Sequence, residues 1–176
     1  ITLSSTDANI TFSGSTTTIN GAQALTIGAG TGGIVFDTVV GGVTPISSLT
    51  LQGSGGNTLP SAITATGAID LKGTSRSSSL VAATTLTSSG SGTITLGSVN
   101  GAQTLQIANT SGTIDIGVVG ASTPLTSLTF TGTGLNKLRG NITTTGAINL
   151  KGTSRTTQLF GDVTVTTTNS DVDRKS

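Results

Sequence analysis

The chain has 176 residues, a formal net charge of +1 and only 9% charged residues, with neither His nor Cys. Those absences exclude a Ser-His-Asp triad, a Cys nucleophile with a His base and a zinc site built from the ordinary ligands. The scattered charges form no basic patch for nucleic acid, and no apolar run approaches the roughly 18 to 20 residues that carry a helix across a bilayer.

Taken in order along the chain, the recurring local signal is an apolar-polar-apolar triplet flanked by Gly, Thr, Ser or Asn. It reads Ile10-Thr11-Phe12, Leu25-Thr26-Ile27, Ile34-Val35-Phe36, Leu49-Thr50-Leu51 and Ile69-Asp70-Leu71 in the first half. In the second half it reads Ile94-Thr95-Leu96, Leu105-Gln106-Ile107, Ile114-Asp115-Ile116, Leu128-Thr129-Phe130, Ile148-Asn149-Leu150 and Val163-Thr164-Val165. Period-2 alternation of this kind predicts short strands with one buried face. Turn formers such as Gly53-Ser54-Gly55-Gly56-Asn57 and Gly132-Thr133-Gly134-Leu135-Asn136 separate them. No stretch shows helical spacing, and Glu and Met are absent, so no α-helix is expected. Abundant β-branched residues and low net charge argue against disorder.

The chain repeats itself. GAIDLKGTSRS (Gly67 to Ser77) returns as GAINLKGTSRT (Gly146 to Thr156) at an offset of 79, identical at nine of eleven positions. Asn20-Gly21-Ala22-Gln23 returns at an offset of 80, and Thr44-Pro45 at 79, so one residue is lost between those anchors. The copies cover about 10–86 and 94–165 of a continuous body over 1–168, with 169–176 read as a polar tail. Two architectures carry such strands. One is a β-solenoid of about 20-residue coils, roughly four to a period and nine in all; the other is two tandem β-sandwiches. With four Phe and no Trp or Tyr, a thin core of stacked Ile, Val and Leu rows is favoured over a sandwich core. Asn20, Asn57, Asn100 and Asn136 are expected at corners, in stacked ladders.

NGAQTLQI (Asn100 to Ile107), GVVGASTPLTSLTFTGTG (Gly117 to Gly134) and ITTTGAINLKG (Ile142 to Gly152) resemble the strand repeats of large secreted bacterial surface proteins, the filamentous-haemagglutinin-like adhesins and related extracellular repeat fibres. The resemblance implies a right-handed parallel β-helix, export to the cell surface, and service as a stalk, filament or adhesive fibre. The chain begins at Ile1 without a signal peptide, as a processed product or an excerpt would. Zero Cys suits a surface protein and equally the cytosol.

Chemistry-bearing residues are few. Lys72 and Arg76 return as Lys151 and Arg155, the charges kept in both copies. They are read either as solubilising charge or as a surface-contact stripe along one side of a rod, facing glycan, a lipid headgroup or an acidic neighbour. Asp70 and Asp115 are the central carboxylates that glycosidase chemistry could recruit, but Asp70 becomes Asn149 in the second copy. Asp7, Asp37, Asp115 and Asp162 are the candidates for a structural calcium, without the GGxGxD repeat that would group them. Gly28 to Gly33 lacks the Lys and helix of a phosphate loop and reads as a corner. Thr16 to Thr18 and Thr143 to Thr145 raise ice binding, although no Thr-x-Thr motif recurs once per coil. The reading these features favour is a non-enzymatic structural segment without cofactor, partnered with itself end to end or laterally. A module that binds glycan or a host or neighbouring cell surface is the alternative, ahead of an ice-binding protein or a carbohydrate-acting β-helix enzyme.

Overall fold

A computed structural model describes residues 1–14, 18–170, 172 and 173. The chain is a parallel β-solenoid with no helix among those residues, and each turn visits three sheet faces. The first face stacks eight strands: Thr2–Ser4, Ala24–Gly28, Ser48–Gln52, Ile69–Asp70, Ile94–Leu96, Ile114–Ile116, Thr133–Leu138 and Ser154–Leu159. The second face runs Ile10–Phe12, Ile34–Phe36, Asn57–Leu59, Ser77–Leu80 and Ser98–Asn100, then through a bridge at Val119 to Ile142–Thr144 and Val165–Thr167. The third begins with bridges at Ile19 and Val40 and continues through Ala62–Ala65, Thr84–Ser88, Thr104–Asn109, Ser127–Thr131, Ile148–Asn149 and Val172–Asp173.

The register fixes the size of a turn. One row on the first face reads Thr2, Thr26, Thr50, Asp70, Thr95, Asp115, Lys137 and Gln158. Its steps average about 22 residues per turn over about 7 turns, so the coils are longer and fewer than the sequence suggests. At about 4.8 Å per step the eight strands span roughly 34 Å. The alternation in the sequence is what closes the core. Ile27, Leu49, Ile69, Ile94, Ile114, Ile63, Leu86, Ile107, Phe130 and Ile148 are fully buried, and the residues between them face out. Phe12 stacks on Phe36 at the first turns, with ring centroids 5.1 Å apart. Val172–Asp173 pairs with Ile148–Asn149, so the solenoid continues past residue 168 into the segment read as a tail. Residues 171 and 174–176 of that tail lie outside the described residues, as do Thr16 and Thr17 of the first threonine run.

The period of the repeat and the length of the turn do not divide evenly. Ser48–Gln52 is on the first face and its repeat Ser127–Thr131 on the third; Ile34–Phe36 is on the second and Ile114–Ile116 on the first; Ala62–Ala65 is on the third and Ile142–Thr144 on the second. Each copy therefore advances eleven strand positions, three turns and two further faces, and the same sequence returns one face back. The residue lost between copies falls at one corner, between Phe36 and Val40 in the first copy and between Ile116 and Val119 in the second.

Candidate functional site

The four repeated charges occupy two corners of the prism. Lys72 and Arg76 follow Ile69–Asp70 at the corner between first and second faces, whereas Lys151 and Arg155 follow Ile148–Asn149 at the corner between third and first. The one-face offset of the copies thus sets the two pairs on different corners and not in a stripe along one side of the rod. In each copy an Asx side chain shapes the approach: Asp70 Oδ1 accepts from the Lys72 N–H at 3.0 Å, and Asn149 Oδ1 from the Lys151 N–H at 3.1 Å. Lys72 is exposed and Lys151 half-buried.

The arginines do not reach solvent as a contact surface would require. Arg76 is 0% exposed and Arg155 9%. Arg76 donates from Nε to Asn57 Oδ1 (2.6 Å), from Nη1 to the Gln52 carbonyl (2.8 Å), and from Nη2 to the carbonyls of Gly32 (2.8 Å) and Gly56 (3.2 Å). Arg155 repeats the pattern with Nε on Asn136 Oδ1 (2.5 Å) and Nη2 on the carbonyls of Gly112 (2.9 Å) and Leu135 (3.0 Å). Its Nη1 reaches the Asn109 carbonyl at 3.2 Å and also bonds the Thr133 carbonyl. No carboxylate joins either set of bonds. Each guanidinium is a five-donor fork whose partners are backbone dipoles drawn from two preceding turns, with an Asn oxygen at the root. Burial lowers the pKa of both arginines from the ordinary value, and a guanidinium so placed keeps its proton.

The asparagines are held in turn. Asn57 Nδ2 donates to the Leu71 carbonyl at 2.9 Å and Asn136 Nδ2 to the Leu150 carbonyl at 2.7 Å. Glycine leaves the space: Gly53 has φ +98°, and a Cβ there would collide with the Gly30 carbonyl oxygen and meet Arg76 Nη1 at 3.0 Å. Each arginine with its asparagine is therefore a clamp across three successive turns, and all three of its guanidinium nitrogens donate within the chain. The 19-residue spacing of Asn57 to Arg76, kept from Asn136 to Arg155, is the signal in the sequence that marks it. The expected asparagine ladders do not form. Asn57 and Asn136 are clamp residues, while Asn20 and Asn100 fasten the next turn by accepting from Val43 and Thr44 N–H and from Ser122 and Thr123 N–H.

Charge elsewhere is segregated by face. Among the described residues, the strands of the second face carry no charged residue and those of the third none before Asp173, whereas the first face carries Asp70, Asp115 and Lys137 in one row. At its far end Arg139 forms a two-bonded pair with Asp115 (Nε–Oδ1 2.6 Å, Nη2–Oδ2 2.8 Å) and lies 4.5 Å from the ring centroid of Phe160. The calcium candidates are dispersed. Asp7 accepts from the Thr31 N–H and hydroxyl, Asp115 is paired with Arg139, and among the described residues no three metal-ligating side chains converge. Asp70 borders an open groove of about 330 Å³ with Gln52, Gly53 and Thr74, and Asp115 lies two strands along the same row. Gly30 and Gly32 lie flat on the carbonyls of Thr6 and Ala8, which makes the glycine-rich run a corner.

The fold and these clamps define a class, the parallel β-solenoid repeat proteins. Comparison with family models, with curated proteins and with solved structures finds no match to this chain.

Proposed function

We propose that the chain is a non-enzymatic structural segment of an extracellular fibre or surface adhesin, acting through its rigidity. The observation that carries this reading is where the chain spends its two most distinctive side chains. Arg76 and Arg155 aim every guanidinium nitrogen at acceptors of neighbouring turns, backbone carbonyls and one Asn oxygen each, rather than at a ligand. A buried cation that ties three turns together raises the cost of separating them, because every carbonyl it leaves behind loses a charge-assisted bond. Two faces whose strands, among the described residues, carry no charge before Asp173 and are surfaced largely by Thr, Ser, Gln and Asn suit lateral contact with like rods or with carbohydrate. The sequence resemblance to secreted bacterial repeat fibres supports the location. Small-angle scattering of the dilute protein tests the rod: an elongated particle with a cross-section of one solenoid turn is the expected result, and a compact two-lobed particle would sink the reading. A glycan array tests the alternative of a binding module. Because the arginines are internal, the surface cations at the repeated corners reduce to Lys72 and Lys151, and Lys72→Ser with Lys151→Ser is the control.

A further inference from the structure

The two copies of the repeat share a corner but not its chemistry. In the first copy Thr50, Gln52, Gly53, Asp70, Gly73 and Thr74 border an open groove of about 330 Å³ at the edge of the first face. The same positions in the second copy hold Thr129, Thr131, Gly132, Asn149, Gly152 and Thr153. The threonines and glycines of the groove return unchanged, and its carboxylate and its long amide do not. The position beneath the amide changes with it: Gln52 stands over Gly28, whereas Thr131 stands over Ala108.

The groove opens because its two long side chains lean apart along the solenoid. Gln52 turns toward the preceding turn, its Oε1 3.6 Å from where a Cβ on Gly28 would stand. Lys72 turns toward the following one, its Cγ 3.8 Å from the corresponding point on Gly97. The corner at Gly53 and Gly73 lies between them and offers backbone without side chain. Asp70 is fixed at the wall by its Oδ1, which accepts from the Lys72 N–H at 3.0 Å, while its Oδ2 has no hydrogen-bond partner among the described residues. The volume lies at the lower end of small-ligand sites, which run from about 300 Å³ upward.

We propose that this groove binds a neutral carbohydrate. Asp70 and Lys72 carry opposite charges at one wall, so neither a free anion nor a free cation gains from both. A metal ion is further disfavoured because no three metal-ligating side chains converge among the described residues. Sugar hydroxyls suit the mixture: they donate to the Asp70 carboxylate in charge-assisted bonds, and accept from the Gln52 amide, the Lys72 ammonium and the Thr50 and Thr74 hydroxyls. None of the lining residues is aromatic, so no ring stacks on the sugar and the affinity belongs in the millimolar range. The corner of the second copy, which has no carboxylate, is a built-in control. The site lies within two successive turns and does not depend on the rod reading above.

NMR titration of the full isotope-labelled chain with glucose, mannose, galactose and N-acetylglucosamine, one at a time, tests the site. At least one sugar is expected to shift the amides of Gly53, Asp70, Lys72, Gly73 and Thr74 saturably, and to leave those of Gly132, Asn149, Gly152 and Thr153 in place. Asp70→Asn writes the second copy's residue into the first and keeps an Oδ1 for the Lys72 N–H, as Asn149 does for Lys151. It should preserve the fold and weaken binding by about tenfold or more. Groove amides that answer none of the four sugars well above millimolar concentration would overturn the site. Equal shifts at both corners, or binding undiminished in Asp70→Asn, would overturn the role of the carboxylate. Saturable shifts at the same amides with calcium chloride alone would overturn the choice of a neutral ligand. Scattering keeps the two readings apart, because a compact particle whose groove still responds defeats the rod and leaves the site standing.

Discussion

Arg76 and Arg155 make the same clamp in two settings, and the comparison separates what the motif supplies from what its surroundings supply. Both start from an Asn oxygen 19 residues earlier and end on carbonyls 44 and 43 residues back, respectively. Arg76 sits mid-rod, sealed from above by the turn that carries Gly97, where a Cβ would collide with the Arg76 carbonyl oxygen. Arg155 sits in the last strand of the first face among the described residues, and has two turns beneath it to hold. The second site also gains Asn109, which stands where the first copy has Ala29 and bonds the carbonyls of Gly92 and Thr113. The geometry of the clamp is thus local to its own turn and the two before it, while its isolation from water depends on the turn stacked above.

That difference should be visible in stability. Arg76→Ala removes the bonds to the carbonyls of Gly32, Gln52 and Gly56 and leaves the buried Asn57 oxygen without its donor, and we expect a loss of about 3–5 kcal/mol. Arg155→Ala should cost about 1–3 kcal/mol, since Arg155 is 9% exposed and water already reaches its site. Urea unfolding of both variants decides it, and equal losses would mean that coverage is unimportant. Arg76→Lys should rescue little, because an ammonium cannot fork to four fixed acceptors. The cores should be more alike than the clamps: Ile69→Ala and Ile148→Ala, equivalent and both fully buried, are each expected to cost about 2–5 kcal/mol in the same assay. The surface should matter least. Asp115→Asn, which weakens the exposed pair with Arg139, is expected to shift stability by less than about 1 kcal/mol, and less again in high salt.

One carboxylate gives a pH signature at the first turn. The hydrogen bonds from Thr31, backbone first and then hydroxyl, hold Asp7 below its ordinary carboxylate range. A depressed pKa means that the stabilisation is present above the unfolded value and is lost as pH falls through the folded one. Detachment of the first turn, followed by hydrogen exchange at Thr26 and Thr31, should therefore rise as the pH drops below about 4. Asp7→Asn keeps an acceptor that does not titrate, and should flatten that dependence.

Much of the fold was legible because the core obeys a simple alternation. Every triplet from Ile10-Thr11-Phe12 to Ile148-Asn149-Leu150 lies in or against a strand. Among the strands that the triplets do not name are Asn57–Leu59, Ser77–Leu80 and Thr133–Leu138, which place Asn57, Ser78 and Asn136 inward. A polar residue belongs inside only when a partner satisfies it, and for both asparagines the partner is an arginine almost a full turn away, beyond the reach of short-range periodicity. The clamps escape a sequence reading for the same reason. A Lys and an Arg four apart beyond a strand resemble surface charge, and only the turn length reveals that the Arg points back over the carbonyls beneath it. Nor does the repeat period disclose its own phase: four even coils to a period would align the copies, whereas the longer turn sets them one face apart.

That offset has a bearing on how such a chain can grow. An internal duplication inserts a whole number of strands, and eleven is not a multiple of three, so each strand copied here had to work on a new face beside new lateral neighbours. The inward residues tolerated the move: Leu25, Asn57 and Ile69 return unchanged as Leu105, Asn136 and Ile148. The prism is then interchangeable among its sides, and lengthening by recombination needs to respect only the strand-to-strand step. Three copies in a row would bring a given surface mark back to its starting side, so anything gripping the rod from one direction would meet that mark once in every eleven turns.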